Sequence, residues 1–138
     1  MDILRIAILG QTTTIQRLSE RIQPHEDLEL SLTTEDPEAL YKATAQSSLE
    51  VVLLEVLPNC PYTVELIRFI QSRQSATKCL ILAHHLDIAH VVQTLVAGAM
   101  GYLLIEPDLD DVVSCIRLVS SGKFICSAEV TSLLTALN

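Results

Sequence analysis

The chain has 138 residues, of which 49% are hydrophobic and 19% charged, and its formal net charge is −8. This length fits a single domain with a real core, and this composition excludes an intrinsically disordered chain. No apolar run approaches the roughly 18 residues that cross a bilayer. The first residues also lack the pattern of a signal peptide. We therefore expect a cytoplasmic protein that does not act at a membrane.

Lys and Arg residues are scattered singly along the chain. Nucleic-acid binding needs a basic surface that neutralises phosphates, so the sequence predicts no direct contact with DNA. The four cysteines, Cys60, Cys79, Cys115 and Cys126, are widely separated and form no CxxC pair. This spacing indicates reduced thiols rather than a disulfide framework.

Short apolar runs alternate with helical stripes along the chain. Predicted strands cover Leu4–Leu9, Leu28–Leu32, Val51–Leu54, Cys79–Ala83 and Tyr102–Ile105. A predicted helix follows each strand. The first has Ile15, Leu18 and Ile22 on one face, the second is opened by Asp36 and Pro37, and the third has Leu66, Ile67 and Ile70 turned inward. The fourth is opened by Asp87, and the fifth is capped by Asp108 and ended by Gly122.

Five β-α units in succession predict an α/β domain with a doubly wound, five-stranded parallel sheet of the flavodoxin- and CheY-like class. The alternating strand Leu28–Leu32 indicates an edge, whereas the continuous apolar runs Val51–Leu54 and Cys79–Ala83 indicate central strands. These positions match the order 2-1-3-4-5. We expect residues 1–122 to form the domain. Residues 123–138 would be a linker with an extra C-terminal helix, which either packs on the domain or connects to something else.

Several segments of the chain resemble the receiver domains of response regulators. The stretch Glu50–Pro58 is similar to the strand and loop that hold their phosphate-accepting Asp. The stretch Ala97–Leu104, followed by Ile116–Val119 and Gly122, is similar to receivers of the NarL/LuxR-type transcription regulators. The chain from Gly122 to Leu134 resembles the linker to their helix-turn-helix domain. The resemblance covers almost the whole chain.

The resemblance implies a degenerate phosphoacceptor pocket. Family members carry an acidic pair that binds Mg²⁺, and this chain has Gly10 and Gln11 there. Glu55 matches the phosphate-accepting Asp, Ala83 matches the Ser/Thr that binds the phosphoryl group, and Ile105 matches the Lys. Phosphoryl transfer depends on positioned charge, and Mg²⁺ prefers oxygen ligands that include carboxylates. We therefore expect no catalytic residue, no metal and no cofactor.

Glu55 has two interpretations within this resemblance. An isolated buried carboxylate is costly, so the preferred interpretation is a solvated residue at a strand end. In the other interpretation it imitates a phosphorylated Asp and holds the domain in one state. The hydroxyls of Thr12, Thr13 and Thr14 are interpreted as helix caps.

Three histidines, His84, His85 and His90, lie near Asp87 at the predicted start of the fourth helix. Together with Cys60 they suggest an alternative function as a thiol or metal sensor. The five-residue spacing of His85 and His90 is not the i,i+4 spacing of metal-binding helices, so a solvated polar loop is preferred.

The resemblance retains the aromatic switch residue, Tyr102, on a last strand that is expected at the sheet edge. The predicted contact surface surrounds this residue. Its residues are Tyr102, Ile88, Val92, Leu95, Val112 and Ile116. Helices one and five form the alternative surface.

The predicted function is a phosphorylation-independent pseudo-receiver, not an enzyme. It acts through a protein partner or as a homodimer and regulates transcription, reaching DNA only through another domain. The alternative is a residual ligand- or phosphate-responsive switch that uses Glu55.

Overall fold

The computed structural model describes residues 2–57 and 62–136, apart from the side chains of residues 107 and 108. The strands are β1 Leu4–Leu9, β2 Leu28–Thr34, β3 Val51–Glu55, β4 Lys78–Ala83, β5 Gly101–Leu104 and β6 Ile125–Cys126. The helices are α1 Thr12–Ile22, α2 Pro37–Gln46, α3 Thr63–Arg73, α4 Ile88–Ala97, α5 Ile105–Asp108, α6 Val112–Ser120 and α7 Ala128–Ala136, with a 3₁₀ turn at Leu109–Asp111.

The strands form one parallel sheet in the order β2-β1-β3-β4-β5-β6. The predicted fold class and the order of the first five strands are confirmed. The prediction that the fifth strand lies at the edge is wrong, because β6 pairs beside it, with Gly101 opposite Ile125. A Cβ atom at Gly101 would lie 2.5 Å from the carbonyl oxygen of Ile125, so a residue without a side chain is needed for this approach.

The segment after β6 also closes over the sheet. Val130 of α7 is buried in the same apolar cluster as Tyr102 and Leu104 of β5. Just before this helix, the Ser127 hydroxyl accepts a hydrogen bond of 2.7 Å from the Leu104 N–H. The C-terminal helix thus packs on the sheet in this structure, which was one of the two arrangements left open by the sequence.

Two apolar layers cover the two faces of the sheet. Ile6 and Ile8 of β1 face α1 and α6, whereas Ala7 and Leu9 face the side of α2, α3 and α4. Cys79 and Cys115 are buried in these layers, and burial raises the pKa of the Cys79 thiol to about 12. Among the described residues, no helix is long and apolar enough to span a membrane.

Two helix starts are confirmed and one is wrong. The Asp36 carboxylate accepts from the Glu38 N–H at 3.0 Å, and the Asp87 carboxylate accepts from the Ala89 N–H at 3.1 Å. The last long helix of the β-α series does not begin after Asp108. A 3₁₀ turn intervenes, and α6 starts at Val112.

We predict that Ser127→Ala destabilises the domain by about 1–3 kcal/mol, because it leaves the buried Leu104 N–H without this acceptor. Urea unfolding measures the change. Ser132→Ala, an exposed substitution on α7, serves as the control and is expected to stay within about 0.5 kcal/mol. Equal stabilities of the two variants would contradict the role given to Ser127.

Candidate functional site

The predicted pocket residues lie at the carboxyl ends of the strands, but they do not all meet. Gly10 and Gln11 follow β1, and both contact Glu55 at the end of β3. Ala83, at the end of β4, lines the adjoining cleft. Ile105 instead lies in the apolar layer that β1 shares with α1 and α6. The site is therefore built from the ends of three strands, without Ile105.

The Glu55 carboxylate is buried and has three hydrogen-bond partners. Its Oε1 accepts from the Gln11 N–H at 2.7 Å, and its Oε2 accepts from the Thr14 hydroxyl at 2.9 Å. The His84 Nε2 lies 2.5 Å from the same Oε2. The side chain of Glu55 is 0% exposed, whereas that of His84 is 42% exposed. The preferred interpretation of Glu55 as a solvated residue is therefore wrong.

Gly10 allows this position of Glu55. A Cβ atom at Gly10 would lie 3.1 Å from the Cβ of Glu55 and 2.7 Å from its Oε1, and the second distance is shorter than real Cβ contacts. The Glu55 carboxylate thus lies where the side chain of residue 10 would begin. Any larger residue at position 10 has to displace it, so the identities of the two positions depend on each other.

Sequence analysis missed the roles of Thr14 and His84. The N-terminus of α1 has Gln11 at its cap position without a side-chain hydrogen bond, and the Thr14 hydroxyl reaches Glu55 instead of capping. The position of His84 follows from the strand register, which the sequence does not give. Glu55 pairs with Leu82, so a residue two positions further along lies on the same face, beside Glu55.

A cleft of about 620 Å³ adjoins the Glu55 carboxylate and extends towards β5. It is lined by Gln11, Val56, Ala83, His84, His85, Asp87, His90 and Tyr102. The His90 Nδ1 lies 3.0 Å from the Tyr102 hydroxyl, and the two rings meet edge to face. This contact holds the hydroxyl of the buried Tyr102 at the end of the cleft.

Burial shifts the pKa values of both partners of this contact, His90 and Tyr102. It lowers the pKa of His90, an effect that the nearby Asp87 carboxylate opposes. Burial, followed by the charge of Asp87, raises the pKa of Tyr102 to about 12. At neutral pH the hydroxyl is therefore protonated and can donate to the imidazole, which accepts when it is neutral.

The predicted contact surface is exposed only on α4. Ile88 and Val92 reach solvent, and Leu95 is partly buried. The other three residues are buried and cannot form a surface in this structure: Tyr102, Val112 and Ile116. Tyr102 is covered because β6 and α7 lie beside β5.

The described histidines considered for a metal sensor do not form a metal site with other described side chains. Within residues 2–57 and 62–136, no group of three His, Cys, Asp or Glu side chains could hold a metal ion. Cys60 lies outside the described residues.

No model of a protein family matches the chain. Among curated proteins, the transcriptional regulatory protein LnrK of Bacillus subtilis (strain 168) is 26% identical over 115 residues, which are 83% of this chain and 52% of LnrK. The transcriptional regulatory protein DegU of Brevibacillus brevis is 28% identical over 131 residues, which are 93% of this chain and 55% of DegU. The chain thus spans about half the length of these relatives.

Solved structures match the fold closely. A two-component response regulator of the LuxR family from Aurantimonas sp. SI85-9A1 superposes with a TM-score of 0.84 at 19% identity, over 96% of this chain and 94% of that one. The isolated receiver domain of RcsB from Salmonella enterica serovar Typhimurium, with the phosphomimetic BeF₃⁻, gives 0.82 at 16% identity, over 96% and 99% of the two chains. The chain has the fold of a response-regulator receiver domain. The two curated relatives are transcriptional regulatory proteins, and the structure from Aurantimonas is that of a LuxR-family response regulator.

The described ends of these strands do not provide the donor set that Mg²⁺ prefers. Gly10 has no side chain, Gln11 has a neutral one, and the Glu55 carboxylate already accepts from protein donors. Mg²⁺ dehydrates reluctantly, so it usually keeps several water ligands and is held through one or two carboxylates. The described residues of the site therefore do not fit the ion.

We predict that Gly10→Ala destabilises the receiver domain by about 1–3 kcal/mol, because the new Cβ displaces a carboxylate held by three hydrogen bonds. In a Glu55→Ala background this clash is absent. The two substitutions should therefore be coupled by about 0.5–3 kcal/mol in a double-mutant cycle followed by urea unfolding. Additive effects would show that Gly10 and Glu55 act independently.

The lowered pKa of His90 predicts a pH dependence of stability. His90 binds a proton more readily in the unfolded chain than in the folded domain. The stability that the neutral His90 contributes is therefore complete above the ordinary imidazole pKa of about 6.5. It is lost as the pH falls from there through the lower pKa of the folded state. Between pH 7.5 and 5, His90→Gln should lose less stability than the unmodified domain, as measured by urea unfolding. His85→Gln removes an exposed imidazole nearby and should keep the original slope. Identical slopes for all three proteins would exclude this contribution of His90.

Proposed function

We propose that this receiver domain is a pseudo-receiver, a signalling domain that works without phosphorylation. It regulates transcription through contacts with a protein partner or a second copy. It has no enzymatic activity of its own, requires no metal or cofactor, and works in the cytoplasm. Residues 1–122 carry the signalling site. Residues 123–138, which pack on the sheet through β6 and α7, are the segment through which a DNA-binding domain would be joined.

The observation that carries this proposal is the saturation of the Glu55 carboxylate. In-line phosphoryl transfer needs an exposed nucleophilic oxygen and positive charge around the transferred group. Here the carboxylate is buried against the Gln11 N–H, the Thr14 hydroxyl and His84. The methyl group of Ala83 cannot bind a phosphoryl oxygen, and Ile105 is in the core. Phosphate control would require most of these contacts to be rebuilt.

The state of Tyr102 also supports independence from phosphate. To connect a phosphoryl group on Glu55 with Tyr102, a hydroxyl at the end of β4 would be needed, and the side chain of Ala83 has none. The Tyr102 hydroxyl is instead within hydrogen-bond distance of His90, and β6 and α7 cover the ring from the other side. The ring is therefore fixed inward by residues of the chain itself.

The role in transcription comes from the relatives. LnrK and DegU are transcriptional regulatory proteins, and RcsB has been solved as two dimers bound to two parallel DNAs. The formal net charge of −8 and the absence of a basic run make DNA contact by this domain itself unfavourable. We therefore propose that DNA is reached only through another domain.

The test is an amide NMR titration with Mg²⁺, then with beryllofluoride, together with intact-mass measurement after incubation with acetyl phosphate. We expect no shift at Gln11, Glu55, Ala83 or Tyr102, and no gain of a phosphoryl group. The isolated receiver domain of RcsB is the positive control, because it has been solved in the presence of BeF₃⁻. Glu55→Asp should stay inert as well, since Gly10, Gln11 and Ala83 are unchanged.

Concerted shifts at these four residues would overturn the proposal in favour of a residual phosphate-responsive switch. Shifts confined to exposed carboxylates far from Glu55 would indicate weak binding of Mg²⁺ at the surface and would leave the proposal standing.

A further inference from the structure

The cleft beside Glu55 gathers a large share of the ring-bearing side chains of the chain. Three of the four histidines in the sequence line it, together with Tyr102, and Val56 and Ala83 add apolar surface. Its volume is about 620 Å³. Pockets for small organic molecules typically measure about 300–1,000 Å³ and combine apolar surface with a few polar groups. The cleft therefore has the size and the lining of a small-molecule site.

The charges around the cleft disfavour an anionic ligand. Among the described residues that line it, none is a Lys or Arg. Helices α1 and α4 both begin beside the cleft, and helix N-termini otherwise attract anions. However, carboxylates of the chain already occupy both positions: the Gln11 N–H donates to Glu55, and the Ala89 N–H donates to Asp87. A phosphate or carboxylate ligand would be repelled by these groups without a Lys or Arg to hold it.

Asp87 offers a negative charge to a ligand instead. It is exposed, and its Oδ1 accepts from the Ala89 N–H at 3.1 Å and from the His90 N–H at 3.4 Å. Within residues 2–57 and 62–136, no hydrogen bond or ion pair reaches its Oδ2. This oxygen can accept from an ammonium group, and the formal net charge of −8 attracts cations to the domain.

The rings that line the cleft suit an aromatic group. The centroids of the His90 and Tyr102 rings are 6.0 Å apart, with an angle of 71° between the ring planes. Burial lowers the pKa of His90, so its imidazole is neutral at neutral pH. Neutral imidazole and phenol rings pack well against a further ring, edge to face or offset, and they do not repel a nearby ammonium group.

We infer that the cleft binds a small aromatic amine, in which a planar ring carries one protonated amino group. The ring packs against Ala83 and the pair of His90 and Tyr102, and the ammonium group donates to the Oδ2 of Asp87. The inference rests on the proposed function, because it gives a signalling domain that works without phosphate a small molecule as its input. The Glu55 carboxylate takes no part, since both of its oxygens already accept from protein donors.

An amide NMR titration in buffer without Mg²⁺ tests the inference, with tryptamine as the probe. Indole and indole-3-acetate are the matched compounds, because they share the ring and carry no charge or a negative charge. Tryptamine should shift the signals of Ala83, His84, Asp87, His90 and Tyr102 along a saturable curve. Indole should bind about tenfold more weakly, since it has no ammonium group, and indole-3-acetate more weakly still, since Asp87 repels it.

A substitution of Asp87 tests the ammonium contact. Asp87→Asn removes the charge, and Asn caps a helix N-terminus about as well as Asp does. It should weaken tryptamine binding by about tenfold and leave indole binding unchanged. Asp36→Asn is the matched control, because Asp36 caps α2 in the same way and lies outside the cleft. It should leave the affinity for tryptamine unchanged. A far-ultraviolet circular dichroism spectrum confirms that both variants are folded.

The absence of a saturable shift with tryptamine would overturn the inference. So would shifts centred on α2 that Asp36→Asn abolishes, because they would place the amine elsewhere on the domain. Equal affinities for the three indoles would overturn the amine as the class of ligand. None of these outcomes bears on phosphorylation, which is read with Mg²⁺ and beryllofluoride in the absence of tryptamine. Failure of the amine site and failure of the pseudo-receiver proposal are therefore distinguishable.

Discussion

The buried carboxylate of Glu55 is the interaction on which the arrangement of the strand ends depends. Its two oxygens join the start of α1, through the Gln11 N–H and the Thr14 hydroxyl, to His84 after β4. An ionised carboxylate in a protein interior is tolerated only when its oxygens are satisfied by donors. Removing one of these donors leaves a buried oxygen without a hydrogen-bond partner, which typically costs about 1–3 kcal/mol. The three segments are therefore held in one arrangement by the requirement to satisfy this group.

The same constraint links the identities of the residues at this site. The side chain of Glu55 brings its carboxylate to within 2.7 Å of where a Cβ of residue 10 would be, so Gly10 is needed. Thr14 and His84 contact the other carboxylate oxygen. A substitution at one of these positions leaves the others mismatched. The site is thus one coupled arrangement rather than a collection of independent side chains.

The periodicity of the sequence was sufficient for the main architecture, because alternating and continuous apolar runs reflect how many faces of a strand are buried. It could not reveal β6, since a two-residue strand such as Ile125–Cys126 has no measurable period. Nor could it place Glu55, because an acidic residue at a strand end suits both solvent and an internal hydrogen-bond network. Only the register between β3 and β4 shows that His84 is beside it. Chain position alone likewise did not show that Ile105 turns into the core.

The extra strand and helix change what the β5 side of the domain can do. In a sheet that ended at β5, Tyr102 would lie on an edge strand. Here β6 pairs with that strand, Val130 of α7 packs in the same cluster, and the Ser127 hydroxyl accepts from the Leu104 N–H. Movement of Tyr102 would require both the His90 contact and this covering to be broken together. The outer face of α4 is left uncovered by this packing, because Ile88, Val92 and Val96 remain exposed.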